Sequence, residues 1–416
     1  MERTFIHPIN ENSFMQVFKY YKCNKPKPSL DNVILLENKI SGKNLIGLFS
    51  PPTLIEDLRT EVLGLTNVKE WNTYTLLRHP GLILIKNPFT RLGQRYWIRK
   101  CLEQYPKKPN KTNIDTEMVL NDWWKECFKS GHCNSKLQNK LRWTTLGYHH
   151  NWDTKVYTED NKSLFPEDLA ELCDCISNYL GYQNFRAEAA IVNYYHIGCT
   201  LSAHTDHSEV NLEAPLFSFS FGQSAIFLIG GPDKNVEPSA IMLNSGDIVV
   251  MSKEARLSYH AVPKIVSALS QPWSNGESDK EICDNMANFK YITNRQQLII
   301  DMNRNIDNKE WDLFKNYAQE SRINMNVRQV LHEHQKSLLD VNNFKSYFLV
   351  SFAPFYYIEE YFLCVSILVF LLGCSVITEK RIVNITIFVY YNAPFGDNLG
   401  FITTSCHIFK QRLKSW

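Results

Sequence analysis

The 416-residue chain carries 45 Lys and Arg against 43 Asp and Glu, a net charge of only +2, and 44% of its residues are hydrophobic. That balance excludes a chain that grips polyanions by overall charge, so any affinity for nucleic acid has to come from local patches. The apolar content is ample for a buried core in one large domain or two.

In chain order, Phe14, Val17, Phe18 and Tyr21 recur at helical spacing and predict a short amphipathic helix ahead of a Pro/Lys loop at 26–28. Residues 81–85 read as a buried strand stopped by Asn87-Pro88, and 90–105 and 115–130 read as helices. Arg91, Arg95, Arg99, Lys100, Lys107, Lys108, Lys111, Lys125, Lys129, Lys136, Lys140 and Arg142 crowd this region against few acids. Alone, such a run is a solvated helical surface. With Trp97, Trp123 and Trp124 nearby it is also the makeup of a face that grips phosphates and stacks bases.

From 185 to 330, strand-like runs at 217–221, 225–229, 240–243, 248–251 and 260–263 follow each other across short turn signals, which suggests a double-sheet jelly roll. Residues 266–290, rich in Ser, Asn, Asp and Glu, are expected to form a flexible loop. The eleven cysteines show no CxxC pair and no zinc spacing, and the N-terminus has neither a secretory apolar core nor the look of a transit peptide. An intracellular, reducing location (nucleus, cytoplasm or mitochondrion) is expected, not secretion.

The tail stands apart. Residues 361–377 run seventeen positions without a charge, near the lower limit for spanning a bilayer. Three readings stay open there: a membrane anchor, a buried helix or strand pair, or sequence foreign to the protein, such as read-through in a gene model. No catalytic role is expected of it.

His204-Thr205-Asp206, with His260 more than fifty residues on, is the most informative pattern. On an alternating strand, residues i and i+2 share a face, so His204 and Asp206 can hold one metal ion while His260 completes the set. Two imidazoles and a carboxylate on one face of an octahedral ion are the ligand set of non-haem Fe(II) oxygenases. The motif alone is weak, since roughly half an accidental His-x-Asp is expected in such a chain. Two flanking segments strengthen it. Residues 187–195 form an apolar run ending in Asn193-x-Tyr195, and 322–328 alternate so that Arg322, Asn324, Asn326 and Arg328 share a face. Inward-pointing arginines need anions, and a guanidinium suits a carboxylate in a bidentate grip. 2-Oxoglutarate meets the need: its keto-acid end chelates iron and its distal carboxylate takes a cation, with Asn193 and Tyr195 as neutral donors.

With these motifs the chain resembles the AlkB family of nucleic-acid dioxygenases, in the branch of AlkB homologue one. Leu141-Arg142-Trp143, residues 147–153, 217–228, 245–248 and 260–263 carry the same likeness, which runs from about residue 10 to about 335. The resemblance implies an α+β fold: a double-stranded β-helix (jelly-roll) dioxygenase core over 141–335, an N-terminal extension with basic helices over 1–140, and a tail, 336–416, outside the likeness. It implies Fe(II) on His204, Asp206 and His260, with 2-oxoglutarate and O2 as cosubstrates. Asn193, Tyr195, Arg322 and Asn324 would serve 2-oxoglutarate, with Arg328 facing its iron-proximal carboxylate or the substrate base. Trp124, Tyr148, His149, His150 and Asn151 would lie near the substrate. The expected reaction is oxidative demethylation of N-methylated bases by a monomer acting on tRNA stem-loops and unpaired or single-stranded DNA, with release of formaldehyde and succinate. Histone demethylation on the same iron site and a non-catalytic nucleic-acid-binding module are the alternatives.

Overall fold

The computed structural model describes residues 12–36, 46–52, 56–130, 132–274 and 280–340, and the backbone of three strands beyond them. Its first compact unit, Met1–Leu339, is built on two sheets. The major sheet has the spatial order Ile46–Leu48, Asn72–Leu76, Leu82–Lys86, Ile248–Met251, Leu216–Gly222, Ser321–Arg328, Ala189–His196, Trp143–Gly147, Lys111–Thr112. The minor sheet runs Val33–Ile34, Ser239–Leu243, Ser224–Ile229, His260–Val266, Leu201–His204, antiparallel but for its first pair.

Period-two alternation decides what each face does. On the outer face of the major sheet, Phe217, Phe219, Phe221, Ile323, Met325, Val327, Val192 and Tyr194 pack with helices Arg91–Arg99, Glu167–Leu180 and Asn308–Glu320 in one apolar core. On the inner face, Tyr74, Leu82, Leu84, Val249 and Met251 meet Phe227, Ile229, Ile241, Leu243 and Val262 of the minor sheet. Two sheets sealed face to face, with these helices outside the major one and helix Ser13–Lys22 packed through Phe14, Phe18 and Tyr21 on Ile226, Leu228 and Ala261 of the minor one, make the α+β jelly roll expected from the sequence. The strand Ser321–Arg328 lies between Leu216–Gly222 and Ala189–His196, so its polar inner positions are held in register from both sides.

Several expectations need correction. Residue 140 marks no break, because the segment before it supplies three strands at one end of the major sheet, one at the other and one to the minor sheet. Nor is its basic run solvated throughout: Lys111, Lys125, Lys129, Lys136, Lys140 and Arg142 are exposed, but others are not. Arg95 is fully buried and donates to the carbonyls of Trp273 and Asn305, while Arg99 pairs with Glu103 and Glu310. Lys100, Lys107, Lys108, Lys129 and Lys140 pair with Asp168, Asp122, Asp115, Glu126 and Glu117. Most of these acids lie within the same stretch, and only Glu310 and Asp168 come from distant segments that a local charge count does not see. Helix over 115–130 is limited to the turn Asn113–Thr116 and Trp123–Cys127.

Residues 280–292 lack regular structure but are tied down. Glu171, fully buried, accepts from the main-chain nitrogens of Lys290 and Tyr291, and Trp273 on the other flank is fully buried. The second unit, Asp340–Trp416, contains the antiparallel strands Leu368–Leu371, Ile385–Tyr390 and Thr403–Cys406. The rest of the apolar stretch 361–377 lies outside the described residues. No described helix is long and apolar enough to cross a membrane.

Candidate metal and cosubstrate site

Leu201–His204 and His260–Val266 pair so that His204 stands opposite His260, with ring centroids 4.3 Å apart. The strand ends at His204, so Asp206 reaches the site from irregular backbone and not along the alternating strand that its spacing suggested. One ligand atom from each of His204, Asp206 and His260 lies within 4.8 Å of the others, and these three are the only such His/Cys/Asp/Glu group among the described residues.

Both imidazoles are oriented alike by a carbonyl two residues upstream. His204 Nδ1 lies 2.9 Å from Ser202 O and His260 Nδ1 3.1 Å from Ser258 O. A carbonyl can only accept, so each Nδ1 carries the proton and each Nε2 presents a lone pair. Burial, with the His204 ring beside it, lowers His260 to about 4, leaving it neutral and ready to ligate at neutral pH. Burial works to raise the Asp206 carboxyl, but Arg328, with His260 and His204, overrides it and holds the group well below the usual carboxylate range. Arg328 Nη2 donates to Asp206 Oδ1 at 2.9 Å, while Oδ2 lies 3.6 Å from His260 Nε2.

A second cluster lies on the inner face of the major sheet. Cross-strand register sets Arg322 directly opposite Tyr195 and Asn324 opposite Asn193. Arg322, 2% exposed, donates from Nη1 to Gln223 O at 3.2 Å and from Nη2 to Ser220 Oγ at 2.7 Å. Its Nε and the Tyr195 hydroxyl are buried without a hydrogen-bond partner. Two unsatisfied donors on facing residues call for one acceptor between them. A carboxylate fits, and so the residues present suit both an Fe(II) ion and a 2-oxo dicarboxylate.

A family model described as the 2OG-Fe(II) oxygenase superfamily matches residues 81–328. A mouse relative, "Nucleic acid dioxygenase ALKBH1", is 34% identical over 77% of this chain and 84% of its own length. The chain belongs to the AlkB family of 2OG-Fe(II) oxygenases. The human protein of the same name is 35% identical over 79% of this AlkB-family chain and 87% of its own, and "DNA N(6)-methyladenine demethylase ALKBH1A" of Arabidopsis thaliana is 30% identical over 60% and 75%.

Not every residue expected at the AlkB-family site reaches it. Arg328 turns away from the cosubstrate cradle: Nε binds Glu209 at 2.8 Å, Nη1 donates to Asn326 O, and Nη2 grips Asp206. Both amide hydrogens of Asn324 go to Ser218 Oγ and Phe219 O, leaving its Oδ1. Trp124 is in the core on the outer side of the major sheet, stacked on Phe314 at 5.0 Å and 12°, so it does not face substrate. Strand Trp143–Gly147 ends at Gly147, φ +67°, where a Cβ would meet Glu188 O at 2.1 Å; this turn throws out the loop 148–157. Tyr148 and His149 turn inward from it. The Tyr148 hydroxyl donates to Glu159 at 2.7 Å, and His149 Nδ1 lies 2.8 Å from Thr145 Oγ1 at 2% exposure. Asn151 accepts from the main-chain nitrogens of Asp153 and Thr154 and so shapes the loop.

His150 alone of the four feels the site, its pKa lowered to about 4 by burial and then by Arg328. Its ring lies 4.7 Å from Trp152 and 5.5 Å from Tyr157, and Trp152 lies 5.1 Å from Trp143, which stands opposite Asn193 in the sheet. Sequence reasoning named Trp143 and Trp152 only within the segments that carry the family likeness, and did not single out Tyr157, Glu209 or Arg256. Strand parity with Asn193 was a usable signal for Trp143. For the others the sequence offered no spacing rule.

Burial also depresses His149 to about 4, and depresses His79 and His196, so an unfolded chain with imidazoles near 6.5 binds more protons between about pH 4 and 6.5. Asp247, raised by burial to about 7, and Glu188, also raised, act in the opposite sense but are outnumbered. The melting temperature of the metal-free protein should therefore fall as pH is lowered from 6.5 to 4. Calorimetry across that window should also show a shallower slope for His149→Gln.

Proposed function

We propose that the chain demethylates N-methylated bases in nucleic acid, using Fe(II), 2-oxoglutarate and O2. The observation carrying this reading is the His204/Asp206/His260 set beside a buried Arg322–Tyr195 pair that lacks an acceptor. Bound Fe(II) with its cosubstrates supplies oxidation of the methyl C–H bond, 2-oxoglutarate leaving as succinate and carbon dioxide. His204 and His260 would hold the ion through Nε2 and Asp206 through Oδ2; Arg322 and Tyr195 would seat the distal carboxylate, with Asn193 and Asn324 alongside. The hydroxymethyl left on the base then collapses to formaldehyde.

Nucleic acid as substrate is supported by the names of the relatives, which include a "tRNA demethylase abh1" of fission yeast, 36% identical over 46% of this chain and 71% of its own. A base inside a duplex would have to be flipped out, which favours tRNA stem-loops and unpaired DNA. Trp152, 40% exposed with Lys155 Nζ 5.5 Å from its ring centre, offers a stacking surface beside the site. Formaldehyde release from methylated tRNA, methylated single-stranded DNA and methylated histone tests the proposal; turnover of histone alone overturns it.

The two tryptophans should behave oppositely. Trp152→Ala should raise KM for nucleic acid, since one base–aromatic stack is worth about 1–3 kcal/mol, and leave stability within about 0.5 kcal/mol. Trp124→Ala should lower stability by about 3–5 kcal/mol with KM unchanged. Denaturant melts and steady-state kinetics on both variants check the contrast.

A further inference from the structure

Glu209 follows Asp206 by three residues, and Arg256 precedes His260 by four in the turn Lys253–Leu257. Both are buried, at 6% and 2% exposure. Each oxygen of Glu209 takes a different guanidinium: Oε2 binds Arg256 Nη2 at 3.0 Å and Oε1 binds Arg328 Nε at 2.8 Å. Both guanidiniums then reach Asp206. Arg328 Nη2 holds its Oδ1 at 2.9 Å, and Arg256 Nη1 donates to its main-chain oxygen at 2.7 Å. Arg256 Nε is fixed on Ala214 O at 3.1 Å.

The four groups carry two positive and two negative charges, and Glu209 is not part of the set whose ligand atoms converge. Without its charge, two buried cations would face the single carboxylate of Asp206. A buried guanidinium short of a partner is strongly disfavoured and would compete for Oδ2, the oxygen now turned towards His260. We infer that Glu209 and Arg256 are positioning residues: by occupying the arginines, Glu209 keeps one oxygen of Asp206 free for a divalent cation, and the cage thereby sets metal affinity. The inference rests on the metal-site reading given above.

Calorimetric titration of Mn(II) alone, without cosubstrate, into the metal-free full chain tests it. Binding by the parent and its loss in Asp206→Ala are required by the metal-site reading; a parent that does not bind Mn(II) sinks that reading and this one with it. Given parent binding, Glu209→Gln should weaken Mn(II) by roughly 10- to 100-fold, the usual effect of removing a partner behind a ligand. Glu209→Asp, which keeps the charge on a shorter arm, should fall between the two. Equal affinity of Glu209→Gln and parent, whatever its melting temperature, overturns the inference while leaving the metal site intact. Should Glu209→Gln fail to melt cooperatively, Glu209→Asp decides by the same criterion: weaker binding supports the cage, parent affinity overturns it.

Discussion

Asp206→Ala should abolish turnover, with a loss of roughly 10³-fold or more, since the catalysed step owes its rate to the metal and enzymes typically work about 10⁶-fold or more above background. Asp206 is the only anion in the converging set, and its partners there are two imidazoles, one of them held neutral by burial. The variant should still fold, at some cost in stability, because Arg328 and Arg256 retain Glu209 as a shared counter-ion. Asp206→Asn makes the sharper comparison: its side-chain oxygen can still accept from Arg328, so packing is conserved while the anionic ligand is lost. Formaldehyde release should vanish in both, and nucleic-acid binding measured alongside should persist. Parent-level turnover in either variant refutes the metal assignment.

How much of this was legible in the sequence depends on the range of the interaction. The inner-face row of Arg322, Asn324, Asn326 and Arg328 follows from alternation within one strand, and the structure sets Arg322 against Tyr195 and Asn324 against Asn193 by ladder register. Strand runs at 217–221, 225–229 and 248–251 are found within a residue or two, the first because Phe alternates with Ser and the other two because both faces are buried and their apolar content is continuous. What failed was long-range. Arg95 and Arg99 count as surface charge until segments some two hundred residues away supply their acceptors. Trp124 and Trp152 look interchangeable as aromatic residues near basic ones, yet the major sheet separates the first from the site. His149 and His150 are neighbours with opposite fates for the same reason: successive side chains leave the backbone in different directions, and only the tertiary surroundings say which one faces Arg328. Arg328 itself shared a face with Arg322 in the sequence pattern, but Asp206 and Glu209 capture it at the far end of the strand.

Arg322→Met should separate activity from stability. The guanidinium is 2% exposed, its two Nη groups are bonded only to neutral oxygens, its Nε has no partner, and no described carboxylate lies within ion-pair distance. Burial lowers its pKa to about 10, the mark of a cation kept away from both water and a counter-ion. A buried charge in that state costs stability, so a methionine of similar length should leave the metal-free protein within about 1 kcal/mol of the parent, or above it. Cosubstrate binding should move the other way. Losing one member of a buried charge pair costs about 2–5 kcal/mol, so KM for 2-oxoglutarate should rise about 10²-fold, with a smaller rise for Arg322→Lys, which keeps the charge but not the planar fork. Steady-state rates over a range of 2-oxoglutarate, read beside thermal melts of the metal-free variants, give both quantities. A parent-like KM would remove Arg322 from the cosubstrate cradle. A large drop in stability would show instead that its hydrogen bonds to Ser220 and Gln223 hold the sheet together, and that the cation stands there for structural reasons alone.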